Sequence, residues 1–326
     1  MERAALVFGV ILAIGFAVWG LAERTGGVSF RIGGLHEEPI HEVAQGVFSG
    51  GRFPGGTVRI RNSAAIVRIL PEDRSDITVD IDNPGDVPMP VVSTRDGDVV
   101  IDGRLGGRID DCLDEGGALL DGYGLVAMER LPVITLRTPR RLDLTVDGAV
   151  AAEIGALEAA DLTFSGCSGG AVGDVAGALD MVLAGSGDVR VGAAQTVEVR
   201  IAGAGSVALG AVREALDAVI AGSGNLTAAS LEGRLEARSA GSGSAEIQGG
   251  RISDADISIA GSGDITVRAP IQRLDASIVG SGDIEVTAPV GDLDVDIAGS
   301  GAVRAPTVTG ERSLNTIGSG RLEVGN

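Results

Sequence analysis

Aromatic residues are nearly missing from this chain: one Trp, one Tyr and six Phe in 326 positions. A core must therefore be filled by Ala, Val, Ile and Leu, and sugar-stacking side chains are too few to line a glycan cleft. Lysine is absent, so all 26 basic residues are Arg. They face 45 acidic residues, and the net charge of −19 argues against a nucleic-acid partner, whose phosphates need a basic surface. Histidine is limited to His36 and His41, both in "HEEPIHE". A catalytic nucleophile needs His or an equivalent base. "HEEPIH" is not HExxH, and Pro39 would break the helix that places two ligands on one face. Both histidines read as solvated linker residues. Cysteine is limited to Cys112 and Cys167. Outside the cytoplasm they can pair, or they can stay as two idle thiols; sequence alone does not supply the approach of the Cα atoms that a disulfide needs.

One long hydrophobic run is present. From Ala4 to Ala22 no residue is charged, a span of transmembrane length and long for a signal-peptide core. Gly20-Leu21-Ala22 also offers a cleavage site, so residues 1–24 are either a membrane anchor or a signal segment. No Cys lies near, which excludes a lipoprotein anchor. Arg3 favours an inside N-terminus and Arg24 weakens that asymmetry. Either way the body is exported. Residues 25–46 read as a linker, with "TGG" and the acidic "HEEPIHE".

Glycine is abundant, 52 residues, which points to many turns. Its arrangement is periodic. Gly-x-Gly corners occur at Gly185 and Gly187, Gly203 and Gly205, Gly222 and Gly224, Gly241 and Gly243, Gly261 and Gly263, Gly280 and Gly282, Gly299 and Gly301, and Gly318 and Gly320. The steps are 18 to 20 residues, and Gly166 and Gly148 continue the series backwards. Between corners the pattern has period two. Leu274, Ala276 and Ile278 face one way, and after the glycines Ile284, Val286 and Ala288 do the same. Ile259, Ile278 and Ile297 align in successive units, as do Ile265, Ile284 and Val303. Such units bury their apolar faces only by stacking, which predicts an all-β parallel β-helix or β-solenoid with coils of about 19 residues over 146–326.

The corners then read as structure. A residue stacked above its own kind in every coil must be small, and the tight bend calls for φ > 0; Gly meets both demands. The Ser hydroxyls between the glycines can form a ladder. A phosphate loop would need a strand-loop-helix setting with GxGxxG or GK[ST], and neither pattern occurs. No cofactor is expected.

Residues 47–145 read as strands separated by turns such as "NPGD" and "RDGD", a β region capping the first coil. Within it, about 105–131 reads as an inserted loop, with room for a short helix. It holds Cys112 and the single Tyr, Tyr123. The order "VFSGGRF…VRIRNSAAIVRILPEDRSDITVDI…VVSTRDGDVVIDG…LPVITLRTPRRLDLTVDGAV", followed by GSGD corners, resembles the head GIN domain family, exported bacterial proteins labelled auto-transporter adhesins. The resemblance covers roughly residues 46–326. It implies a right-handed β-helix-like fold and no established enzymatic activity. An autotransporter would also carry a C-terminal membrane barrel; here the sequence stops inside the repeats at "GSGRLEVGN".

Two acidic features stand out. Asp256, Asp275 and Asp294 recur at equivalent outward positions, a candidate column for a cation such as Ca²⁺, and Asp264 and Asp283 form a second pair. Against a ligand ladder, the residue after each corner varies: Asp188, Ser206, Asn225, Ser244, Asp264, Asp283, Ala302, Arg321. Arg268, Arg273 and Arg304 are placed to offset charge. In the last coil Arg312 and Thr316 fall where Leu293 and Ile297 fall one coil earlier, as in a polar terminal cap or a register slip. An open last coil would favour self-association. The sequence thus predicts a membrane-anchored, exported, non-enzymatic solenoid serving as envelope scaffold or adhesin-like surface for a protein or glycan. The alternative is a carbohydrate-active or calcium-binding β-helix protein.

Overall fold

The computed structural model describes residues 41–113 and 117–325. The expected membrane segment, His36 and the linker up to residue 40 lie outside the described residues. Among the described residues no helix is long and apolar enough to cross a membrane, and helical structure is confined to a 3₁₀ turn at Met128–Arg130. The fold is an all-β solenoid of about ten turns. Two compact units divide it: residues 41–176 with 184–190, and residues 177–183 with 191–325.

In the C-terminal unit Ser206–Gly222 and Asn225–Gly241 run unbroken from corner to corner, and from Gly250 on each coil is a longer strand before the corner and a shorter one after it. Ile271–Gly280 and Ile284–Val286 form one such coil. It lies parallel and in register between its neighbours, Ile278 opposite Ile259 and Ile297, and Ile284 opposite Ile265 and Val303. All six of these side chains are buried, so the aligned apolar columns are the core. Alternation fails at one predicted position. Ala288 is half-buried because the short strand ends at Val286 and Pro289 turns the chain; Val290 resumes the inward column.

In the N-terminal unit the coils begin before the first Gly-x-Gly. Strand Thr57–Glu72 pairs parallel with Arg141–Ile154 along both halves, although residues 47–145 read as a cap in the sequence. A further rung follows, with Val99–Asp102 on Val58–Arg61 and Val133–Pro139 on Ile66–Glu72. The Thr57–Glu72 coil lacks the sequence signature because Asn62 (φ 50°) makes its corner in place of Gly; Asn is the non-glycine residue best suited to the left-handed region. The stack is then closed by antiparallel strands. Asp76–Asn83 pairs with Val133–Pro139, Gly46–Pro54 pairs with Asp76–Asn83, and Val91–Arg95 pairs with Asp98–Asp102. The outermost strand carries a register shift between Phe48 and Gly51 and ends at Pro54, features that blunt an exposed edge.

The insertion is a small antiparallel sheet of Ile109–Leu113, Gly117–Leu120 and Gly124–Ala127, where the sequence allowed a short helix. Its inner face sets Ala118, Leu120 and Val126 against Ala64, Val87, Leu105 and Leu131. Ala149 also packs there. Ala64 and Ala149 follow the corners at Asn62 and Gly148, so the sheet covers those corners. Cys167, inside the Gly166 corner, is disulfide-bonded. The chain has one other cysteine, Cys112.

Candidate binding surface

The glycine corners come first, because they decide whether any loop is free to bind. The leading glycines Gly185, Gly203, Gly222, Gly241, Gly261, Gly280, Gly299 and Gly318 all have φ between 117° and 150°. At Gly280 an added Cβ would stand 2.2 Å from the carbonyl oxygen of Gly261; at Gly282 it would stand 2.1 Å from the carbonyl oxygen of Gly263. The obstacle is therefore backbone of the coil before, not a stack of side chains. The amides are equally committed. Ser281 N–H (2.9 Å) and Gly282 N–H (3.2 Å) both donate to the Gly261 carbonyl. Asp283 N–H donates to Asp264 Oδ1 (3.0 Å), and Ala302 N–H donates to Asp283 Oδ1 (2.8 Å). A phosphate cradle needs unclaimed N–H groups, and this corner has spent its own on the neighbouring coil. The Asp of GSGD is explained by the same bonds: its carboxylate accepts from the equivalent residue one coil on. A hydroxyl ladder is seen at Ser262 and Ser281 (3.2 Å).

The flat faces carry the remaining chemistry. Before each corner one outward column reads Glu198, Asp217, Glu236, Asp256, Asp275, Asp294, each opposite the next. The column beside it contains Arg200, Arg238 and, further on, Asp296. In the first half, charges are matched. Arg200 pairs with Glu198 and with Asp180 (3.2 Å), and Arg238 pairs with Glu236 and with Asp217 (3.6 Å). In the second half, among the described residues, no arginine pairs with Asp256, Asp275 or Asp294; Arg273 instead pairs with Asp254. Partial burial, then the charges of Asp256, Asp294 and Asp296, push the Asp275 carboxyl above its ordinary value.

The three predicted column residues are thus brought into register. Among the described residues, however, no group of three or more His, Cys, Asp or Glu is arranged to hold a metal ion. Asp264 and Asp283 are adjacent too, but as coil-to-coil hydrogen bonds. Burial raises Asp283, but the hydrogen bonds from Arg304 and the Ala302 N–H, with the Arg304 charge, outweigh it and hold the carboxyl below the usual range. Arg304 is shared between Asp283 (2.7 Å) and Glu323 (2.9 Å), and Arg268 meets Glu246 (2.8 Å).

His41 differs from the solvated linker residue expected. Its N–H donates to Tyr123 Oη (3.1 Å), its carbonyl accepts from the same hydroxyl (2.9 Å), and Arg104 Nη2 donates to Nδ1 (2.6 Å). Since a guanidinium only donates, Nδ1 is the acceptor here. The two residues lie 82 positions apart, so no local pattern announced the contact.

A solenoid of glycine-cornered coils, with an outward acidic column that arginines offset only in its first half, is the class of protein these features define. The family model described as "Putative auto-transporter adhesin, head GIN domain" matches residues 176–289 and again 236–326. The two matches together span residues 176–326, so the repeats of the C-terminal half match the head GIN domain model. That description names an adhesin and no enzyme. No curated protein matches. Among solved structures, a "putative adhesin" of Parabacteroides distasonis ATCC 8503 is similar at 18% identity, covering 87% of this chain and 97% of that one, with a TM-score of 0.43. A "putative adhesin" of Parabacteroides merdae ATCC 43184 has 14% identity over 87% and 97%, with a TM-score of 0.43. A "Putative lipid binding protein" of P. distasonis ATCC 8503 has 17% identity over 86% and 96%, with a TM-score of 0.39.

Proposed function

We propose that this protein is exported, is held at the membrane by its N-terminal segment, and works without catalysis as a β-solenoid whose coil faces bind a protein or glycan partner of the cell envelope. The observation that carries the reading is the acidic column from Glu198 to Asp294, repeated in register coil upon coil. A repeated flat surface suits an extended partner better than it suits a small substrate. The family description supports a binding role, and the uncharged run Ala4–Ala22 supports export with an anchor.

Protease shaving of intact cells, with fractionation and a C-terminal tag, tests this. The expected result is a tag that sediments with membrane and is cut only by protease that reaches the outer side of that membrane. Cleavage from whole cells would give the adhesin form of the reading; protection until the envelope is opened would give the scaffold form. A tag that stays in the cytoplasmic fraction would overturn both.

A further inference from the structure

A surface strand of an antiparallel sheet normally alternates apolar-in and polar-out. The inserted sheet breaks that rule on its outer face. Leu119 and Leu125 are direct cross-strand partners, 40% and 64% exposed. They cannot turn inward, because the opposite face already sets Ala118, Leu120 and Val126 into a core, and a one-residue slip would expose those instead.

The chain leaves the structure at the same place. Tyr123, in the turn joining the two leucine strands, holds the main chain of His41 at both its N–H and its carbonyl. Two residues on, Val43 is 51% exposed. Upstream of His41 are residues 23–40 (40 − 22 = 18 residues) and then the uncharged run Ala4–Ala22. Eighteen residues reach at most about 60 Å when fully extended. Through the His41 contact, the leucine hairpin is thus held within those eighteen residues of that run.

We propose that the Leu119–Leu125 face is a membrane-contact site, resting in the interfacial zone of the bilayer that holds residues 4–22; the proposal rests on the anchored reading above. The partner is the lipid surface itself, met through the acyl boundary. Head-group charge is not the attraction. Asp111 is the cross-strand neighbour of Leu119, and the chain's net charge is −19, so anionic lipid repels this face. The contact gives the exported body a second point of attachment and so a fixed orientation over the membrane.

The full chain in nanodiscs of zwitterionic phosphatidylcholine, brominated near the interface, tests this with its own control. Trp19 is the single Trp and lies inside the uncharged run, so wild-type emission reports the anchor. The W19F/L125W chain reports the hairpin. The expected result is that both lose most of their emission in brominated lipid. The W19F/L125W emission should recover when Leu119→Asp is added, with the far-UV spectrum unchanged, and its quenching should be weaker in brominated phosphatidylglycerol nanodiscs. Quenching of Trp19 alone would overturn the contact site and leave the anchor standing. Quenching of neither would overturn the anchored reading and the contact with it.

Discussion

At Gly280 a methyl group would meet the Gly261 carbonyl at 2.2 Å in a backbone conformation, φ 135°, that L side chains rarely adopt. Gly280→Ala should therefore destabilise by about 1–3 kcal/mol from the backbone alone, while Ser281→Ala at the exposed middle position should stay within about 0.5 kcal/mol; denaturant unfolding of the two variants checks this. Asp275 offers the opposite sign. Its folded-state carboxyl is raised by burial and by its three acidic neighbours. The charged form is thus disfavoured on folding, and stability present at low pH is lost as pH rises through the raised value. Asp275→Asn should raise the thermal midpoint at pH 7, and that gain should fade when the pH drops below the ordinary carboxylate range. Asp283, held low, should behave in reverse: Asp283→Ala should lower the midpoint at pH 7, and its cost should shrink as acid protonates the wild-type carboxylate. The columns of Ile259, Ile278 and Ile297 were legible in the sequence because a fixed period brings equal residues together. The job of Asp264 and Asp283 was not, because their partners are amides of the next coil and a backbone N–H leaves no mark in the sequence.

At the scale of elements, the last coil is informative. Strand Arg312–Gly318 pairs with Val290–Gly299 on one side and offers its other edge to solvent. Arg312 stands opposite Leu293 and Thr316 opposite Ile297, so two of the core columns end in polar groups while Leu314 continues the Val295 column, and all four of Arg312, Leu314, Thr316 and Ile317 are exposed. An inward-pointing charge is a known guard against edge-to-edge pairing. Arg312→Leu with Thr316→Ile should remove it, and sedimentation velocity should then show concentration-dependent association absent from the wild type; a variant that stays monomeric across the dilution series would show that the edge itself does not pair. The first coils teach the converse lesson. Asn62 does the work of a corner glycine, so strand Thr57–Glu72 belongs to the stack although its sequence has no Gly-x-Gly. The insertion was legible only as a break in the repeat. Its sheet is fixed by contacts such as Tyr123 with His41, which are distant in sequence.

For the whole molecule, stacking organises the corners: the Ser amides from Ser186 to Ser319 donate to the leading-glycine carbonyl of the coil before, and ligand chemistry is left to the faces. Hydrogen–deuterium exchange along the chain tests that claim most directly. The account predicts slow exchange at Ser281, Gly282 and Asp283, recurring at each Gly-x-Gly corner with the period of about 19 residues, and unchanged by added inorganic phosphate. Corner amides that exchange as fast as free loop amides, and slow only when phosphate is present, would mean that the glycines form a binding loop and that the account is wrong.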